Sequence, residues 1–225
     1  MPPLLPSRPS ENAEAAMTPR LLLMLIATLA AAPTACAQEA ARAFDNLKQG
    51  GFVLVLRHGK TEESRDDRSP LDLADCAQQA MLTEQSRAEA RVIGAAFAGA
   101  RVPIGSVLAS GYCRALEMGR LAFGRAEAAD ALLLRTYVPI AGAPAPPAWP
   151  QRVAALKAML AMPPGAGTNT VLITHFPNIK AALDLDLDFG DAVIVKPDGQ
   201  HARLVARIFA SDWPMLAGAG SPETR

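Results

Sequence analysis

Neither sign of charge is in excess in this sequence: 22 Lys and Arg face 22 Asp and Glu. A balanced chain exerts no global pull on nucleic acid or anionic lipid, so any preference for anions must come from a local cluster. Long apolar runs are also missing. The stretch at residues 21–32 is too short for a comfortable membrane span. Aromatic residues are only 5% of the chain, and with its abundant Ala this suits small-residue helices packed closely on a sheet. No internal repeat or second domain boundary is present. With 225 residues, half of them hydrophobic, one sizeable core in one domain is expected. Histidine occurs only three times, so the places it occupies carry weight.

The short apolar run reads as the core of a signal peptide. Arg20 precedes it, and Ala35-Cys36-Ala37 before Gln38 has the small-x-small pattern of a cleavage site. Residues 1–37 are therefore expected to be the leader and residues 38–225 the mature domain. Met17 is the expected start, because the first sixteen residues are Pro-rich. A lipoprotein with Cys36 as the lipidated residue is the less favoured alternative, since Pro33 stands where an aliphatic residue is needed. Cleavage leaves twenty charges of each sign, and it leaves Cys76 and Cys113 in an oxidising compartment, periplasmic or outside the cell. A disulfide between them and two buried small hydrophobes are both open readings.

Periodicity places the elements. Residues 39–49 read as an amphipathic helix stopped by Gly50-Gly51, and residues 52–56, Phe-Val-Leu-Val-Leu, as a buried strand. Residues 60–80 are a long polar loop. A helix over 84–100 starts behind the cap Thr83, a strand covers 106–110, a helix 112–123, and a short strand 132–134. The Pro-rich stretch 139–150 reads as a surface connection rather than a lid. A helix at 151–162, a strand at 169–174, a helix opened by Pro177 and a hairpin of 192–195 with 202–209 complete the chain. The segment Asp184-Leu-Asp186-Leu-Asp188-Phe-Gly190 fails as a calcium loop, with Gly190 one place late and Val195 where a Glu is required. It reads as alternating and extended.

Three strand ends carry polar chemistry: Arg57-His58, then Ser110 with Arg114 just beyond, then His175. In a parallel sheet these ends share one edge, where open α/β folds place their sites. Two guanidiniums and two imidazoles gathered there make a phosphate-sized anion site, because forked donors bind phosphate oxygens bidentately. Each residue taken singly has a bland reading as a surface charge or a satisfied core histidine; the joint pattern does not. His201, in the terminal hairpin, matches no motif and reads as exposed. Metal binding is disfavoured because the histidines are flanked by arginine rather than by carboxylates.

Leu56-Arg57-His58-Gly59 with Thr61, Ser110-x-x-x-Arg114-Ala115 and Thr174-His175 resemble, in order and spacing, the motifs of the histidine phosphatase superfamily, in its phosphoglycerate-mutase-like branch. The resemblance implies an α/β fold: a single-domain three-layer sandwich with a mixed, mostly parallel sheet flanked by helices. It also implies that His58 is a nucleophile forming a phosphohistidine, that Arg57, Arg114 and His175 hold the phosphoryl group, and that Thr61 and Ser110 belong to the substrate site. The expected activity is that of an exported, acid-type phosphomonoester hydrolase without metal or other cofactor. Its partner is a small phosphorylated substrate, with a cell-envelope sugar phosphate as a hint; no nucleic acid and no stable membrane span after cleavage are expected. A non-catalytic phosphate-ligand binding protein and mutase-type phosphoryl transfer are the alternatives. An alkoxide leaves poorly unless protonated. Asp191, after Gly190, ranks first as that proton donor, with Glu117 and Asp130 behind it and an acidic optimum expected.

Overall fold

The computed structural model describes residues 35–218; the expected leader and Met17 lie outside them up to residue 34. Six strands, β1 (Val53–Arg57), β2 (Ile104–Ala109), β3 (Glu127–Ala128), β4 (Asn169–Thr174), β5 (Ala192–Pro197) and β6 (Ala202–Ile208), form one sheet in the order β3-β2-β4-β1-β5-β6. The first four are mutually parallel, β5 runs antiparallel to β1, and β6 pairs antiparallel with β5. Helices α1 (Ala35–Asn46), α2 (Glu84–Gly99), α3 (Cys113–Phe123) and α6 (Trp213–Gly218) share one core with one face of the sheet. On the other face lie α4 (Trp149–Ala161) and α5 (Phe176–Leu183).

The alternation within β1 explains its unbroken apolar run. Leu54 and Leu56 enter the first core while Val53 and Val55 enter the second, so both faces are buried and neither tolerates a polar residue. Phe44, Phe97, Phe123 and Trp213 meet edge to face or tilted, at centroid distances of 5.0–6.1 Å, and tie α1, α2, α3 and α6 together. α6 has no counterpart in the sequence reading. Its anchor is Trp213, buried with Nε1 donating to the Gly190 carbonyl at 2.9 Å.

One expected strand fails. No strand forms at 132–134: Leu132 and Leu133 are core residues, but their carbonyls accept from the side chains of Thr174, Arg152 and Asn178 rather than from a neighbouring strand. The edge strand is the two-residue β3. Residues 184–188 alternate as expected, with the three Asp exposed and Leu185 and Leu187 turned inward, before a turn at Phe189-Gly190. Asp184 turns left-handed (φ 54°) to end α5, and only Leu187 is buried beyond it before Gly190. The Pro-rich stretch contributes no residue to the main cavity lining, as a surface connection should not.

Cys76 and Cys113 are joined by a disulfide that ties the polar loop to the first residue of α3. Gln79 reinforces the tie, its Oε1 accepting from the Cys113 backbone N–H at 2.9 Å and its Nε2 donating to the Leu73 carbonyl at 3.1 Å. Closing a loop of that span restricts the unfolded chain, so Cys76→Ser/Cys113→Ser is expected to lose about 2–4 kcal/mol of stability. Urea unfolding measures it, and an unchanged midpoint would refute the cross-link's role.

Candidate active site

Register brings the three strand ends together. Arg57 pairs with Thr174, and Ala109 with Ile173, so the next residues of each strand, His58, His175 and Ser110, sit side by side. The chain leaves the sheet there under control: the His58 amide donates to the Thr174 carbonyl at 3.1 Å, and the Ser110 amide to the Ile173 carbonyl at 2.9 Å. Beyond these ends lies a cavity of about 470 Å³ lined by Arg57, His58, Thr61, Arg114 and His175. Lys60, Glu62, Glu63, Arg65, Asp66 and Asp67 of the polar loop also line it, as do Leu134, Phe176, Pro177 and Phe189.

His58 is buried. Its Nδ1 lies 2.8 Å from the Gly59 carbonyl, and a carbonyl only accepts, so Nδ1 carries the proton and Nε2 keeps its lone pair. The glycine is required by space: a Cβ at residue 59 would stand 2.6 Å from Ser86 Cβ on α2. Burial, then the Arg114 guanidinium, lower the His58 pKa to about 3, with Arg57 adding to this and the Gly59 bond opposing it. His175, in edge contact with His58 at 4.9 Å between centroids, is likewise held well below the ordinary value by burial and then by the neighbouring His58 and arginines. Both imidazoles are therefore neutral near pH 7.

That neutrality has a cost at low pH. Unfolded, the two imidazoles take up protons near pH ~6.5; folded, they do so only much lower. Within that window the unfolded state binds more protons, so the stability is whole above about pH 6.5 and declines as pH falls, by up to ~1.4 kcal/mol per pH unit for each histidine. Urea midpoints measured from about pH 7 down to pH 5 should drop accordingly. The slope should flatten in His58→Asn, and an equal slope in that variant would contradict the buried neutral state.

The two arginines are fixed by different means. Arg57 donates from Nη1 to the Leu187 carbonyl at 2.7 Å, and its guanidinium lies 3.8 Å from the Phe189 ring centroid. Arg114 is gripped by Asp67 through two bonds, Nη1 to Oδ1 at 2.8 Å and Nη2 to Oδ2 at 2.9 Å, and stacks 4.4 Å from the Tyr112 ring centroid. Asp67 is itself held by the Ala80 amide at 3.0 Å. Among the described residues Nε of each guanidinium is buried without a hydrogen-bond partner, as is Nδ1 of His175.

Not every residue singled out in the sequence reaches the cavity. Ser110 is fully buried and bonds His175 Nε2 through Oγ at 2.8 Å instead of lining the wall. Asp191 is also buried, but its carboxylate accepts from the Asp188 and Ala210 amides at 3.1 and 2.8 Å and from Arg207. Held by these donors and absent from the cavity lining, the Asp191 carboxylate ties the turn before β5 to β6, so the expected proton donor does not reach the cavity. Glu117 pairs with Arg87 at 2.7 Å and Asp130 opens a tight turn, both away from the lining. The sequence reading missed Asp67 and Phe189. Asp67 is one acid in an aperiodic polar loop, and it meets Arg114 through the folding of that loop, which the disulfide, the Ala80 amide and the Arg68 amide bond to Gln78 hold in place.

Comparison of structures identifies the fold. The chain superimposes on the protein histidine phosphatase SixA complexed with tungstate at a TM-score of 0.50 and 18% identity, over 72% of this chain and 98% of that one. It matches Bacillus stearothermophilus YhfR at a TM-score of 0.50 and 18% identity, over 69% of this chain and 95% of that one. The architecture is thus the histidine phosphatase fold, and the likeness is one of fold. No family model matches the sequence, and no curated protein matches it.

Proposed function

We propose that this protein is a phosphomonoester hydrolase that works through a phosphohistidine at His58. The observation that carries the proposal is a set of three buried nitrogens without hydrogen-bond partners among the described residues, Arg57 Nε, Arg114 Nε and His175 Nδ1, on side chains that line the cavity with His58. Buried polar groups in proteins are normally bonded, and this trio around a neutral nucleophile suits a phosphoryl group's oxygens. SixA, of the same fold, is a protein histidine phosphatase described with tungstate, a tetrahedral oxyanion.

The chemistry follows from these groups. His58 Nε2 attacks phosphorus in line, the ester P–O bond breaks, and the alcohol leaves with a proton. Water then attacks the phosphohistidine, the P–N bond breaks, and phosphate departs from a neutral His58. The arginines neutralise charge on the equatorial oxygens in both steps. The proton donor belongs to the polar loop. Of its cavity-lining carboxylates, Asp67 is committed to Arg114, and Glu63 is held below its ordinary pKa by its bond to Lys60. Glu62 and Asp66 remain.

Glu62→Gln/Asp66→Asn is therefore expected to slow alkyl phosphates by ~100-fold while sparing aryl phosphates with good leaving groups. An equal rate on alkyl phosphates would exclude both residues. The function itself is tested by incubating the mature protein with a panel of phosphomonoesters, a cell-envelope sugar phosphate among them. Hydrolysis with acid-labile label on His58 is expected; phosphate binding without any turnover would favour a non-catalytic binding protein. We read the protein as exported, which the Cys76–Cys113 disulfide supports. N-terminal sequencing of the periplasmic form should begin at Gln38.

A further inference from the structure

We propose that Ser110 is a positioning residue that sets the tautomer of His175, so that His175 presents a proton from Nδ1 to the phosphoryl group. This rests on the phosphatase reading above and adds to it a residue that acts without touching substrate. Ser110 is fully buried, so its hydroxyl proton has no water to meet. Its Oγ has two neighbours among the described residues: the Tyr112 amide, a donor, at 3.5 Å, and His175 Nε2 at 2.8 Å. A hydroxyl offers one proton and two lone pairs. The amide takes a lone pair, and the proton has one acceptor left, His175 Nε2. That nitrogen must then be unprotonated, and the ring's proton resides on Nδ1.

Nδ1 of His175 is buried and has no hydrogen-bond partner among the described residues. In the opposite tautomer it would be an acceptor, repelled by phosphoryl oxygens that offer only lone pairs. In the tautomer that Ser110 imposes it is a donor, on a ring that lines the cavity beside the nucleophile. Tyr112, whose ring packs edge-on against His175 at 5.1 Å between centroids, keeps the imidazole from rotating away from Ser110. The two histidines thus have complementary protonation. His58 keeps its proton on Nδ1, which donates to the Gly59 carbonyl, and attacks with Nε2; His175 accepts from the Ser110 hydroxyl at Nε2 and donates from Nδ1. Its neutral state, favoured by burial beside two arginines, leaves that donor without adding a further cation.

The test has two independent readouts. Long-range nitrogen–proton NMR of histidine-labelled, substrate-free protein reports the tautomer directly and needs no activity; His175 should show a protonated Nδ1 and a bare Nε2. Ser110→Ala should lose that fixed pattern and lower kcat by ~100-fold, the scale of one lost transition-state donor, with KM changing much less. A His175 protonated at Nε2 in the native protein would overturn the proposal, whatever the variant does. So would a folded Ser110→Ala with native tautomer and native kcat. Should NMR show the Nδ1 proton while no phosphohistidine forms on any phosphomonoester, the Ser110 assignment stands and the phosphatase reading fails.

Discussion

His58→Ala is expected to lower turnover by roughly 10³-fold or more, with the fold retained. The loss is large because no other group can replace a nitrogen lone pair held at the end of β1 and aimed by the Gly59 carbonyl. The fold should survive because the imidazole borders an open cavity and is not one of the core side chains that join helices to the sheet. Phosphate affinity should fall far less than turnover, since Arg57, Arg114 and His175 remain. Steady-state kinetics, circular dichroism and acid-labile phosphoryl labelling check the three parts. Full activity in the folded variant would sink the mechanism, and label on another residue would relocate the nucleophile.

Arg114→Ala should be nearly as damaging, and for two separable reasons. It removes a buried cation from the phosphoryl site, at an expected cost of ~10²–10³ in kcat/KM. It also strands Asp67, which the Ala80 amide still holds at the cavity wall with its paired charge gone. Leaving a polar partner unsatisfied costs about 1–3 kcal/mol, and the stranded carboxylate repels phosphate as well. Asp67→Asn on the Arg114→Ala background should therefore recover stability and part of the phosphate affinity, but little of the turnover. Asp67→Asn alone should weaken phosphate binding by loosening Arg114. If the double variant were no more stable than Arg114→Ala, Asp67 would be a bystander on the loop.

Much of the site was legible because strand ends are legible. A strand buried on both faces is an unbroken apolar run, and its end is wherever polarity returns. Arg57-His58 and His175 announce themselves in this way, and Thr83 and Pro177 mark helix starts by local chemistry that survives without tertiary context. The Asp191 reading failed for a related reason. Proximity along the chain to a strand start shows that a carboxylate reaches the sheet edge, but not which way it turns. Here Arg207, across the β5–β6 hairpin, claims it.

Sequence pattern sufficed for the α/β class and for the strand ends at which Arg57, His58, Ser110 and His175 stand. These rest on periodicity and on residue types at element ends, which are local properties. Tertiary structure alone decided which polar groups pair. Asp67 lies 47 positions from Arg114, Ser110 65 positions from His175, and Asn169, whose side chain bonds the Leu47 and Pro103 carbonyls and the Phe52 amide, 122 positions from Leu47. Hydrogen bonds over such separations leave no period in a sequence, because each depends on sheet register and helix packing that exist only once the core has formed. The His58 bond to the adjacent Gly59 carbonyl is local, whereas the His175 bond to Ser110 spans such a separation and exists only in the folded sheet.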